Sequence, residues 1–449
     1  MIVHKIRICA VFLRFSKTIL LVCHNIITEK SIAQPDVLSK RSKFAYSVGH
    51  VLNDITASMW FSYILLFYNH VVTLTNVSAG YFFLIGQIAD AISTIFVSLA
   101  SDRTRTDLFH YGKRKTWHLI GVICTLISFP FCFNLCIGCQ NSFSVTGDES
   151  SITSADLPIF RKLTFIVIGF GLIFMIIFHV GLKESNQTTE EKERHSKLIS
   201  TSNRKLKQMT WKTILCEKEF YQCAVVWTFA RIILNITQAF LPLYTIDTIS
   251  KLNRVYVAIV PLCIYITSFV ASFPMRIINK RLGRNLTNII GYGLILACMI
   301  SFWFIIDIKS ILQIQIALIS ACILFGISTS TTSICSTALA SDLIGLNTEC
   351  GAFVYGVMTF VDKIANGIII ALVQQFNPCK LSSTHTCALY YRYIITFIPG
   401  GFSILAILMI LSMWKTNLGG NRFEIIQEEQ RNMDMKVNVD FKEQSPLMA

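Results

Sequence analysis

Charged residues are scarce in this chain of 449 residues. Asp, Glu, Lys and Arg make up 15% of it, whereas a soluble globular domain contains about 25%. Hydrophobic residues make up 53%, and the mean hydropathy is +0.56. The formal net charge of +14 would suit a nucleic-acid-binding protein. The basic residues, however, lie in short loops between apolar runs rather than on one face of a soluble domain, so no nucleic-acid partner is expected.

Enzyme signatures are absent as well. The sequence contains no Walker A motif, no G-x-S-x-G and no H-E-x-x-H, so neither an enzyme nor a cofactor is predicted. Most of the 15 cysteines lie within apolar runs, as soft core residues. Cys136 and Cys139 form a lone C-x-x-C that no second pair or histidine completes, so no metal site is predicted. Two disulfides, involving these residues and Cys379 and Cys387 in a later loop, remain an alternative.

Long apolar runs are the main feature that is present. Each is long enough to cross a membrane as a helix, in which the backbone satisfies its own hydrogen bonds. The sequence therefore predicts an all-α polytopic membrane protein with about ten transmembrane helices. The ten predicted spans are 44–69, 79–100, 117–135, 162–181, 220–246, 255–275, 286–306, 310–340, 351–374 and 390–413.

The loops between the spans alternate in charge. Lys and Arg crowd the loops 101–116, 183–217 and 276–284, whereas 70–78 and 136–160 contain neither. Because positively charged loops stay in the cytoplasm, both termini are predicted to be cytoplasmic. Residues 7–24 are apolar but contain Arg14 and Lys17, which favours a cytoplasmic or interfacial segment over an eleventh span.

The predicted spans divide into two unequal halves. Residues 1–42 form an N-terminal segment, 43–182 a half with four spans, 183–217 a polar linker, 218–414 a half with six spans, and 415–449 a tail. Similar basic turns containing glycine follow spans 2 and 6. Transporters built from repeats have matching halves. Two helices, the fourth and fifth in order, are therefore predicted to be missing between Cys139 and Pro158.

Ionisable and polar side chains inside the spans are the candidate functional residues, because they are costly in a membrane. His50 and Asp54 share one helix face, and Asp90 lies on the next span. The spans further along carry Arg231, Asn235, Tyr355, Asp362 and Lys363. This set suits a zwitterionic or polyhydroxylated solute moved together with a cation. The alternative is that some of these side chains only lock helices together, as is expected of Gln238 and Asn366.

Two further motifs lie outside the spans. Asp102 and Arg103, with Gly112 and Arg114 of the same basic turn, lie at the membrane edge and are predicted to act in gating or helix docking. In the tail, the stretch that contains Glu443, Leu447 and Met448 resembles an acidic dileucine-type sorting signal, which predicts an adaptor partner.

Three long segments carry a resemblance to a known family. They are KFAYSVGHVLNDITASMWFSYILLFYNH, GQIADAISTIFVSLASDRTRTDLFHYGKRKTWHLIG and STALASDLIGLNTECGAFVYGVMTFVDKIANG. Together they resemble the melibiose-carrier-like branch of the major facilitator superfamily, over residues 42–140 and 158–414. One member of that branch is implicated in moving cysteine into lysosomes and melanosomes. The resemblance implies a cysteine carrier of that kind, working by alternating access.

The resemblance also implies roles for individual residues. Asp54 and Lys363 match positions near the bound substrate, and Asp90 matches the first of two acids that hold a coupling cation. The second acid is replaced by Thr94, which counts against sodium and favours proton coupling, with His50 as a further candidate, or facilitated transport. The substrate set is Asp54, Arg231, Asn235, Tyr355 and Lys363. Alternatives are a carrier of a sugar or another solute, and a non-transporting isoform that acts as a membrane partner.

Overall fold

The computed structural model describes residues 40–103, 111–134, 152–182, 214–249, 252–344, 351–379 and 384–414, and within these ranges every regular element is helical. The cysteine pair Cys136 and Cys139, the N-terminal segment, most of the linker and the tail with its predicted sorting signal lie outside them. The chain is an all-α, multi-pass membrane protein, as the sequence predicts.

Within the described ranges, twelve α-helices build the bundle. In chain order they are α1 Lys40–Val48, α2 Val51–Leu66, α3 Asn76–Arg103, α4 Lys113–Cys132, α5 Leu157–Gly181, α6 Lys218–Leu243, α7 Tyr256–Ser272, α8 Met275–Leu282, α9 Arg284–Ile305, α10 Ile311–Ile344, α11 Gly351–Gln375 and α12 Thr384–Ser412. Two π-helical turns, Phe67–Val71 and Tyr244–Thr248, extend α2 and α6. Within the described ranges, eight helices are long and apolar enough to cross a membrane, and the pair α7–α8 makes a ninth.

The first predicted span differs from the observed structure. Residues 44–69 form α1, a break at Gly49 and His50, and then α2 with its π-helical turn, rather than one unbroken helix. Gly49 lies so close to the Phe178 ring that a Cβ atom would clash with it. The first predicted span is thus present as two shorter helices, and at the break between them Gly49 packs directly against α5.

Proline and glycine set the ends of the helices near the second basic turn. Pro274 separates α7 from α8, and the two axes differ by 57°. Gly283 then has a φ of 80° and begins α9. At the first basic turn, Gly112 has a φ of 108° directly before α4. Both positions require glycine, because other residues rarely adopt a positive φ.

Contacts between helices show that the two basic turns lie at the same end of the bundle. Helices α3 and α11 pack antiparallel, so that Asn76 of α3 lies beside Asn377 and Gly367 contacts Leu84. The C-terminal end of α3 is therefore beside the start of α11, where Gly351 contacts Ile344. Arg284 of the second basic turn pairs with Asp342 near this place. We call this side the basic end and the other side, which contains Asn377, the opposite end.

The two halves are packed unequally. In the apolar 18-residue stretch of α6, 67% of the residues are buried, because α6 lies between α2 of the first half and α10, α11 and α12 of the second. In the corresponding stretch of α4, 17% of the residues are buried. Its outward side carries exposed apolar residues at helical spacing, namely Ile120, Ile123, Ile127 and Phe131. The central helix is thus protein-enclosed, whereas α4 turns most of its surface away from the bundle.

Candidate functional site: a polar pathway between the halves

Lys363 of α11 connects the two halves near the middle of α3 and α11. Its Nζ atom lies 2.8 Å from Oδ1 of Asp90 and donates to Oγ1 of Thr94 at 2.7 Å, both on α3. Thr94 in turn donates to the backbone oxygen of Asp90. The aspartate side chain is half exposed and the lysine is largely buried. The ammonium group therefore occupies the place between Asp90 and Thr94 where the resemblance would put a bound cation.

The neighbouring residue, Asp362, faces the other way into the second half. It is buried, with 6% of its surface exposed, and its Oδ2 atom accepts a hydrogen bond from Nε1 of Trp227 at 2.8 Å. The Arg231 guanidinium lies over the same indole, 5.0 Å from the ring centroid, and the Tyr355 ring is 5.9 Å from it. Trp227 thus joins one acid, one base and one phenol of α6 and α11 in a single cluster.

Asp54 and His50 lie on the first half, at the start of α2. Both side chains are exposed. Helix α2 packs against α6, and Asp54 interacts electrostatically with both His50 and Arg231. An acid of one half and an arginine of the other therefore act on each other across the interface.

The other predicted polar residues are placed as follows. Asn235 is half-buried and lies one helical turn after Arg231, on the same face of α6. Gln238 is also half-buried on α6. Asn366 donates to the backbone oxygen of Asp362 in its own helix at 2.7 Å, a bond that joins no second helix.

The predicted gating residues lie where the two basic-end helices meet their loop. Asp102 and Arg103 belong to the last turn of α3, but their side chains and that of Arg114 are outside the described set. The Gly112 oxygen accepts a hydrogen bond from Oγ1 of Thr116 at 2.7 Å. Nearby, Lys115 donates to the Leu182 oxygen, which fixes the start of α4 to the end of α5. The role of the motif in gating or helix docking stays a prediction.

Two features of the site were not predicted from the sequence. The sequence identified Asp362 as an intramembrane acid without a role, and nothing in it indicated the bond to Trp227. The proximity of Thr94 to Lys363 joins residues 269 positions apart.

Cys379 and Cys387 form a disulfide, one of the two left open by the sequence. No cluster of three metal-ligating side chains occurs in the parts of the chain that the structure describes.

Comparisons with known proteins agree with this architecture. The family model "Major Facilitator Superfamily" matches residues 159–370, and the model "MFS/sugar transport protein" matches residues 45–140. Major facilitator superfamily domain-containing protein 12 of Homo sapiens is 30% identical over 466 residues, covering 86% of this chain and 95% of that protein. The Mus musculus protein of the same name is 30% identical over 459 residues, covering 84% and 94%.

More distant similarities involve shorter stretches or lower scores. An uncharacterized symporter of Synechocystis is 38% identical over 82 residues, which is 18% of this chain and 14% of that protein. The crystal structure of a bacterial homologue of the iron transporter ferroportin, in an outward-facing state, shares 13% identity. The match covers 87% of this chain and 93% of the ferroportin homologue, with a TM-score of 0.35.

The alignment with the human relative is also longer than the part of this chain that it covers. Of the 449 residues here, 86% is about 386, so about 80 of the 466 aligned positions have no counterpart in this chain. The two family models are separated by the segment between residues 140 and 159, where the sequence predicts two missing helices. Two spans of about 20 residues each, with their flanks and loop, would fill such a gap.

Proposed function

Because this chain belongs to the major facilitator superfamily, a superfamily of membrane transporters, we propose that it is a carrier of small zwitterionic amino acids, with cysteine as the substrate. The observation that carries the proposal is that Asp54 and Arg231, of opposite charge, lie on two helices that pack against each other across the halves. A zwitterion presents an ammonium and a carboxylate, which match these two side chains in charge. Arginine is well suited to a carboxylate, because its guanidinium donates in a planar fork.

The remaining members of the substrate set surround this pair. Trp227 holds the Arg231 guanidinium against its ring, and Tyr355 and Asn235 add hydrogen-bonding groups on the same side. Lys363 binds Asp90 and Thr94 in this conformation, so its contact with the substrate requires that pair to open. Binding of the solute would then be linked to movement of the two halves, as alternating access requires.

The coupling proposal follows from the same ion pair. The Lys363 ammonium supplies a fixed positive charge between Asp90 and Thr94, and an inorganic cation there would meet repulsion. Transport is therefore proposed to need no sodium, with Asp90 and His50 as the groups that exchange a proton. Replacing sodium by choline in the assay should leave the rate unchanged. A rate that rises in proportion to sodium occupancy would contradict this coupling.

The membrane and orientation are part of the proposal. The basic end faces the cytoplasm and the opposite end faces the lumen of a lysosome or melanosome, with both termini cytoplasmic. The alternating charge of the loops and the 30% identity with the human relative support it.

The test is uptake of labelled cysteine into lysosomes isolated from cells that lack their own carrier. Asp54→Asn and Arg231→Gln should each lower accumulation at least about tenfold while protein amount and location stay the same, since each removes a charge that meets the substrate. Asp307→Asn and Arg276→Gln, which make the same changes at exposed sites away from the pair, are the matched controls. If uptake is unchanged in both Asp54→Asn and Arg231→Gln, Asp54 and Arg231 have only a structural role.

A second candidate function is favoured by the four-plus-six division of helices. With α4 only sparsely covered by protein and about 80 aligned positions missing, this chain is a candidate for a non-transporting isoform that acts as a membrane partner. Expressing it beside a form with the two helices restored distinguishes the possibilities. Equal cysteine accumulation per molecule would eliminate the second candidate, and accumulation by the restored form alone would favour it.

A further inference from the structure

Polar contacts between the two halves concentrate at the opposite end of the bundle. Among the described residues, five such contacts lie there. They are Tyr63 with the Val257 oxygen at 3.4 Å, Asn76 with the Asn377 oxygen at 3.5 Å, Tyr81 with Gln375 at 3.5 Å, His70 with Asp247 at 3.4 Å and Asp156 with Arg254 at 3.5 Å. Ser62 with Tyr265 at 3.1 Å and the bridge made by Lys363 lie nearer the middle of the helices. The protein is therefore closed at the opposite end in this conformation.

One of these pairs contains a histidine. His70 ends the π-helical turn that follows α2, and Asp247 lies in the π-helical turn that follows α6, so equivalent helices of the two halves meet through this pair. Their side chains are 25% and 18% exposed, so protons from solvent reach both. An imidazole changes charge between pH 5 and 8. Protonation converts a neutral hydrogen bond into a charge-assisted one.

We propose that His70 and Asp247 form a proton-dependent latch that holds the opposite end of the carrier closed. The pair joins the two halves directly, and the positive imidazolium would also lie at the C-terminal end of a helix, where a cation is favoured. At low pH the latch is strong and the closed state gains population. At neutral pH it weakens, and the opposite end opens more readily.

The other charged side chains near the latch are paired with residues outside it. Asp156, in the 3₁₀ turn Ser154–Asp156 that packs beside His70, pairs with Arg254. Tyr391 of α12 acts on Asp247, and Arg392 of the same helix pairs with Asp307. Among the described residues of α3, the first ionisable side chain after its start at Asn76 is Tyr81 and the first acid is Asp90. His70 thus supplies the imidazole of a closure whose second ion pair joins a carboxylate to a guanidinium.

The physiological meaning depends on the proposed orientation, but the latch itself does not. With the opposite end facing an acidic lumen, low pH would return the emptied carrier to its cytoplasm-facing state and hinder leakage of the solute back out. A carrier in a neutral compartment would lack this bias. The latch would thereby give direction to transport without a separate regulatory domain.

The test is hydrogen–deuterium exchange of the full chain in lipid nanodiscs, followed in the backbone amides of 67–72 and 244–249. After correction for intrinsic rates, protection in the unsubstituted protein should be about fivefold higher at pH 5.5 than at pH 7.5, the change expected when the bond becomes charge-assisted. His70→Gln should show low protection at both pH values. His70→Arg, which keeps a permanent charge, should show high protection at both.

The matched control is Asp156→Asn, which breaks the neighbouring ion pair and leaves His70 in place. It should lower protection at both pH values but keep the fivefold difference. A difference that persists in His70→Gln, or none in the unsubstituted protein, overturns the latch. Asp247→Asn repeats the test from the other partner and guards against a folding defect specific to one substitution. No transport is measured, so a wrong assignment of the substrate would not affect the outcome.

Discussion

Replacing Asp362 tests whether the cluster around Trp227 stabilises the second half of the bundle. Asp362→Ala leaves the buried Nε1 of Trp227 without its acceptor and removes a negative charge close to Arg231. An unsatisfied buried donor costs about 1–3 kcal/mol. Losing one partner of a fully buried ion pair costs about 3–5 kcal/mol, and the loss here is smaller because Arg231 is half-buried and attracts Asp362 without forming an ion pair with it. We expect a loss of about 2–4 kcal/mol in the free energy of unfolding.

The assay is reversible chemical unfolding in bicelles, with two further variants. Asp362→Asn keeps the volume and an acceptor oxygen for the indole, so it should lose less than half as much as the alanine variant. Trp227→Phe removes the donor, and the double variant completes a cycle whose coupling energy should be at least about 1 kcal/mol. If Asp362→Ala unfolds within about 0.5 kcal/mol of the unsubstituted protein, or the coupling is zero, the hydrogen bond contributes no net stability and the reasoning fails.

Two further predictions concern the opposite end and the tail. The Cys379–Cys387 disulfide closes a short loop between α11 and α12, so its reduction should lower the free energy of unfolding by about 2–3 kcal/mol. Thermal unfolding with and without reductant measures this loss. A Cys379→Ser/Cys387→Ser variant should be insensitive to reductant. Changing Leu447 and Met448 to Ala should move the protein from lysosome-like organelles to the cell surface, as seen by immunofluorescence; retention in the organelles would show that another segment carries the sorting information.

The sequence predicts the membrane helices well because length and apolarity alone decide whether a segment can cross a bilayer. It fails at the first span, where the break at Gly49 depends on the ring of Phe178, a residue 129 positions away. Periodicity could place Asp54 and His50 on one face, since both belong to one helix. It could not indicate the partners of Asp362 and Lys363. Consecutive helical residues point about 100° apart, and only the packed bundle determines which one meets α3 and which one meets α6.

The sparse protein cover of α4 has a consequence for how this molecule is solvated. Most of its surface, including Ile120, Ile127 and Phe131, is not covered by the described protein and would face acyl chains in a bilayer, whereas two thirds of the apolar stretch of α6 is buried in protein. Lipid would therefore cover apolar helix surface in the first half that neighbouring helices cover in the second. A change in bilayer thickness, or exchange of lipid for detergent, acts first on the half that holds Asp54 and Asp90. The chemistry of the annular lipids thereby becomes a determinant of the geometry at the polar pathway.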